Sequence, residues 1–132
     1  MTFAICLANR GTFLGSLFDA ARKELAKALS TQGHKALMLP EESTRHDAVG
    51  SPNEGRVYAE FLAAHRGEYD GVVLSLPNFG DENGAVVALK DARVPILVTG
   101  VSRRDWLKFA DTYYGELNHY GMYWLKWADV RR

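Results

Sequence analysis

The chain carries one cysteine, Cys6, so no internal disulfide can brace it. It lacks a charge excess: sixteen Lys and Arg balance sixteen Asp and Glu, leaving no net field to attract nucleic acid or an anionic membrane. No apolar run approaches the ~20 residues of a membrane-spanning helix. No basic segment leads into an apolar stretch as in a secretory signal. These absences predict a cytoplasmic protein with neither a membrane nor a nucleic-acid partner. Neither G-x-G-x-x-G nor G-x-x-x-x-G-K-[ST] occurs, which weakens a nucleotide reading. His34, His46, His65 and His119 have no metal-binding spacing, and no serine sits in a G-x-S-x-G elbow. No complete active site is visible.

What is present suits one compact domain spanning residues 1–132, with 47% apolar and 24% charged residues. Phe3 to Leu7 is apolar without alternation, as in a strand buried on both faces. Cys6 lies in that run, where a buried inert thiol is expected. Ser16 to Gln32 places Leu17, Ala21, Leu25, Ala28 and Leu29 on one helical face, and Gly33 ends that helix. Lys35 to Leu39 reads as a second strand closed by Pro40, and Glu41 to Gly50 as a polar loop. Ser51-Pro52-Asn53-Glu54 is a capping signal for a helix that buries Val57, Tyr58, Phe61, Leu62 and Ala64. Asp70-Gly71 precedes the clearest strand, Val72 to Leu76. A helix from about Asn83 to Lys90 and a fourth strand at Val94 to Val98 follow, with Pro95 marking a candidate sheet edge.

Strands separated by helices require right-handed crossovers and hence a parallel sheet. The predicted fold is α/β, a flavodoxin-like (Rossmann-like) three-layer domain of about four strands in the order 2-1-3-4. Beyond it, Trp106, Ala110, Tyr113, Leu117, Tyr120, Trp124 and Trp127 recur at alternating steps of four and three, predicting an aromatic C-terminal helix. Such a stripe is expected in a core or a subunit contact, and it implies self-association.

In open parallel sheets the binding crevice lies beyond the strand C-termini where the strand order reverses. Here that point falls between strands one and three, so the loops Ala8 to Thr12 and Pro77 to Glu82 are the candidate functional segments. Asn9 and Arg10 leave the first strand. Arg10 can donate to a hydroxylated or anionic ligand, or be a solvated surface arginine. In the second loop, Pro77 and Gly80 shape the turn. Asp81 and Glu82 sit at a helix start, where capping and the helix dipole account for both carboxylates without catalysis. Glu41, Glu42, His46 and Asp47 read as solvated loop charge rather than a metal site.

At these loops the chain resembles the N-terminal region of the L-fucose isomerase-like family, related in architecture to L-arabinose isomerases. Tyr69-Asp70-Gly71-Val72-Val73-Leu74-Ser75-Leu76-Pro77-Asn78-Phe79-Gly80-Asp81-Glu82 is similar to the family's D-G-(apolar)-LPNFGDE strand and loop. Asn9-Arg10-Gly11 with Phe13 resembles its first loop. Thr44-Arg45 with Ala48-Val49 resembles the loop after strand two, but His46-Asp47 replaces a glycine common there. Arg103-Arg104-Asp105 and Leu117-Asn118-His119-Tyr120-Gly121 are fainter echoes.

The resemblance implies a non-catalytic N-terminal domain of an aldose–ketose isomerase. Its relatives hold a divalent metal, usually manganese, in later domains, so no cofactor is expected in this stretch and no turnover by it alone. It further implies a sugar site shared with another subunit or domain of a homo-oligomer. Arg10 carries over as a sugar-reaching residue, with Asn9 beside it; Asn78, Phe79 and Asp81 carry over as motif residues. The alternative is a flavodoxin-like interaction module that binds no sugar and works through its aromatic helix. A third reading, an enzyme acting on a small anion through Arg10, lacks a general base beside the arginine.

Overall fold

The computed structural model describes residues 1–10, 16–77, 80–100 and 122–124. Strands β1 (Thr2–Leu7), β2 (Lys35–Met38), β3 (Gly71–Leu76) and β4 (Ile96–Gly100) are joined through helices α1 (Ser16–Thr31), α2 (Pro52–Ala64) and α3 (Glu82–Leu89). All pair in parallel in the order β2-β1-β3-β4, as the alternating pattern predicts. A fifth strand, β5 (Met122–Trp124), extends the sheet beyond β4, pairing in parallel with Ile96–Val98.

Alternation along the central strands sorts the core into two layers. Ala4 and Cys6 of β1, with Ala8 just past it, join Val72, Leu74 and Leu76 of β3 beneath Tyr58, Phe61 and Leu62 of α2 and Ala85, Ala88 and Leu89 of α3. Ile5, Leu7 and Val73 face the other way, onto Phe18, Ala21, Leu25 and Leu29 of α1. The small side chains of β1 on the first face let Tyr58, which is fully buried, approach the sheet. Helices α2 and α3 also meet closely: a methyl group on Gly55 would collide with the Gly84 carbonyl.

Helix starts follow local chemistry. The Ser51 hydroxyl accepts from the Glu54 amide at 3.2 Å, with Pro52 opening α2. Asp81 does the same for α3, its Oδ2 accepting from the Gly84 amide at 2.7 Å.

Four expectations are corrected. The fourth strand starts at Ile96 rather than Val94. Pro95 lies just before it and uses its carbonyl to accept from Val72 at 3.0 Å. Flanked by β3 and β5, β4 is also not a sheet edge. Glu41 to Gly50 is not uniformly solvated loop: Ala48 and Val49 are buried, after a 3-10 turn at Arg45–Asp47. The helical stripe fails at residues 122–124, which are strand. The outer backbone groups of β4 need partners, and residues 122–124 supply them as a parallel strand. The other stripe residues lie outside the described residues.

Candidate functional site

The C-terminal end of β1 is clamped from both sides. The Ala8 amide donates to the Ser75 carbonyl of β3 at 2.9 Å. On the other side β2 has already ended, and Val49 takes its place as an isolated parallel bridge to Ala8. Val49 donates to the Leu7 carbonyl at 2.7 Å and accepts from the Asn9 amide at 2.8 Å. Asn9 is therefore held in a narrow slot and is 4% exposed.

Glu54 secures the wall of that slot. Its carboxylate accepts from the Gly50 amide at 2.7 Å, the Arg45 amide at 3.2 Å and, at 3.5 Å, the Ser51 hydroxyl. The capping signal anticipated contact with Ser51, but not the reach to Gly50 and Arg45. Gly50 is pressed against Asn9: a Cβ there would lie 3.3 Å from the Asn9 carbonyl oxygen.

Arg10 emerges from this clamp and crosses to the other loop. Its Nη2 donates to Oε2 of Glu82 at 3.2 Å, with the arginine side chain half exposed and the glutamate partly covered. This contact brings the β1 exit and the start of α3 to one rim, as the switch-point argument requires. Glu82 was anticipated only as a helix-start carboxylate, and no local sequence signal could pair it with a residue 72 positions earlier. Asp81 stands next to it, committed through Oδ2 to the α3 cap. Gly80, at φ +66°, turns the chain into that cap in a conformation costly for other residues. Asn78 and Phe79, like Gly11 to Phe13, lie outside the described residues.

A second polar cluster lies on the α1 side of the β2 exit. His46 and Asp47 both adopt positive φ, +59° and +51°. This is where the glycine of the resembling loop would be unstrained. His46 stacks on Phe18 at 6.0 Å between ring centroids. Asp47 Oδ2 lies 2.8 Å from Arg22 Nη1, while Arg22 Nη2 donates to the Leu39 carbonyl at 3.2 Å. The ion pair is electrostatic rather than directed. Neither Arg22 Nη1 nor Asp47 Oδ1 makes a hydrogen bond among the described residues. A groove of about 520 Å³ here is lined by Arg22, Asp47, Glu41, Glu42, Asp19 and Lys23. Another of similar size lies between α2 and α3, by Leu62, Arg66, Asp91 and Arg93. Neither groove includes Arg10 or Glu82.

The remaining titratable interior is inert. Burial pushes the Cys6 thiol far above its ordinary range, as expected for a thiol deep in the sheet. The Tyr58 hydroxyl is raised well above its usual value, chiefly by burial and secondarily by Cys6 and Tyr69. No helix among the described residues is long and apolar enough to cross a membrane. Among them, too, no three histidine, cysteine or carboxylate side chains come together as a divalent ion requires.

A parallel α/β sheet in this order, with two loops joined across its switch point, defines a Rossmann-like domain. The family model for the N-terminal domain of fucose/sulfoquinovose isomerases matches residues 4–119, and the chain belongs to that family. Comparisons with curated proteins and with solved structures gave no match.

Proposed function

We propose that this domain contributes to a sugar pocket completed by another subunit or domain of a cytoplasmic homo-oligomer, and does not itself carry out aldose–ketose isomerisation. Arg10 is the sugar-reaching donor, positioned by Asn9. From the second loop, the motif residues Asn78, Phe79 and Asp81 are the further candidate sugar contacts.

The observation that carries this reading is the 3.2 Å contact of Arg10 with Glu82, which joins the two switch-point loops. A guanidinium donates several hydrogen bonds in a plane and a carboxylate accepts several, so together they match the mixed donor and acceptor character of sugar hydroxyls. Chemistry of the proton-shuttling kind needs a base within reach of the carbon acid. The residues brought together at this rim are committed to capping or ion pairing. The chain's part is accordingly binding and orientation.

Two measurements test the proposal. Purified chain supplied with manganese and L-fucose or L-arabinose is expected to show no aldose–ketose turnover; clear turnover abolished by Arg10→Ala would refute the division of labour. Titration with L-fucose or its alditol is expected to shift the amide signals of Asn9, Arg10 and Asn78, and Arg10→Ala to remove the response. Shifts confined to residues remote from both loops would refute the site.

A further inference from the structure

Strand β2 stops at Met38, so the end of β1 loses its regular neighbour and the segment around Val49 stands in for it. Backbone amides in such a segment lie beyond the reach of the strand ladder, and each needs an acceptor. Glu54 supplies one near either end. Its Oε1 accepts from the Arg45 amide at 3.2 Å and its Oε2 from the Gly50 amide at 2.7 Å. Across the turn, the Thr44 hydroxyl donates to the Ala48 carbonyl at 2.7 Å. In a capping box the glutamate returns to the backbone amide of the cap residue, here Ser51. Glu54 reaches past that residue to Gly50 and Arg45.

What Glu54 holds leads directly to the rim. Gly50 follows Val49, whose carbonyl accepts from the Asn9 amide at 2.8 Å and whose own amide donates to the Leu7 carbonyl at 2.7 Å. Asn9 precedes Arg10, whose Nη2 donates to Glu82. The joint is tight as well as bonded. A Cβ on Gly50 would lie 3.2 Å from Glu54 Oε2 and 3.3 Å from the Asn9 carbonyl oxygen. A side chain that fixes the backbone beneath a binding residue acts on affinity through preorganisation, without touching the ligand.

From this we infer that Glu54 is a positioning residue. From the first turn of α2 it ties the Arg45–Gly50 segment against the end of β1, and so sets where Asn9 and Arg10 stand. This role rests on the sugar-site reading above, and its test separates the two.

The full chain, isotopically labelled, is compared with three variants by amide hydrogen exchange, urea denaturation and titration with L-fucose to about 0.05 M. Glu54→Gln keeps the length of the side chain but leaves one carbonyl oxygen for two amides. Exchange at Asn9 and Val49 is expected to rise at least about tenfold. Leu74, in the middle of β3, should change no more than the loss of global stability requires. L-Fucose affinity, read at Arg10, is expected to fall about fivefold. Ser51→Ala is the control for capping alone. It removes the hydroxyl that caps α2 and leaves the bonds of Glu54 to Gly50 and Arg45, so it should lower stability without altering exchange at Asn9 or the affinity. Gly50→Ala presses a methyl group into the same joint with Glu54 intact, and should weaken L-fucose binding in the same direction as Glu54→Gln, which keeps the test open should Glu54→Gln not fold.

Unchanged exchange at Asn9 and Val49 in folded Glu54→Gln overturns the positioning role. So does an equal loss of affinity in Ser51→Ala, which would reduce Glu54 to a helix cap. Faster exchange with unchanged affinity, or a Gly50→Ala chain that binds as the wild type does, overturns the role and leaves the sugar site standing. Absence of any response at Arg10 to L-fucose in the wild type overturns the site and the role together.

Discussion

The two faces of the sheet are built on different principles. On the α2–α3 face the fit is steric: small residues on β1, a fully buried Tyr58 and a glycine contact that admits no methyl group. On the α1 face, around the β2 exit, the chain is held by polar and aromatic contacts. His46 and Asp47 there occupy left-handed backbone, offset by a stack on Phe18 and an ion pair with Arg22. The first face tolerates almost no change in volume. The second can lose one contact and keep its shape, because several weak ones share the load. The rim that carries Arg10 and Glu82 lies where Val49, a residue of the α2–α3 core, is clamped beside β1.

The contrast can be broken most sharply at Gly55. Replacing it with valine forces α2 away from the Gly84 carbonyl and should cost about 3 kcal/mol in urea denaturation. A loss below about 1 kcal/mol would mean that the two helices separate freely, and the steric account of that face would be wrong. A smaller effect is expected from Asp47→Asn on the other face. The charge on Arg22 loses its partner but keeps the Leu39 carbonyl, so a loss of about 1–2 kcal/mol is expected by the same assay. If Asp47→Asn proves costlier than Gly55→Val, the ranking of the faces is reversed.

Tyr58→Phe should have the least effect at neutral pH, within about 0.5 kcal/mol, since the hydroxyl finds no hydrogen-bond partner among the described residues. Its signature lies in the alkaline range. The folded state raises the pKa values of Cys6 and Tyr58, both through burial first. Between the unfolded and folded values the native chain therefore holds protons that the unfolded chain has released. Stability is complete below the unfolded values and falls as pH rises through about 9 to 10 and beyond. Thermal melts from pH 7 to 11 should show this decline, and Tyr58→Phe should make it shallower. An unchanged alkaline slope would place the loss of stability elsewhere.

Much of the frame was legible because it depends on neighbours along the chain. The unbroken apolar run Phe3 to Leu7, the Asp70-Gly71 break before β3 and the Ser51 cap each act within a few residues, and each is found where the pattern places it. The Asp81 cap was likewise visible as a carboxylate at a helix start. The misreadings share a cause. Val49 looked like part of a polar loop because its partner, Ala8, is distant in sequence. Pro95 suggested an edge because the strand beyond β4 could not be foreseen, and residues 122–124 followed a helical spacing while the open side of β4 offered hydrogen bonds. The candidate site was half legible. Arg10 and Asp81 could be named from their positions at strand and helix ends, whereas the roles of Glu82 and Glu54 required the loops to meet.

By itself the sequence determined the parallel α/β arrangement, because hydrophobic period, caps and breakers are local signals and alternating strands and helices leave few ways to connect. Only the tertiary structure decided that the Arg10 guanidinium meets the Glu82 carboxylate. Their encounter depends on β1 and β3 lying side by side, and side-chain partners across a sheet follow from register and distance rather than from order along the chain. Were Arg10 and Glu82 found apart in solution, the sheet would stand and the site built on their contact would not.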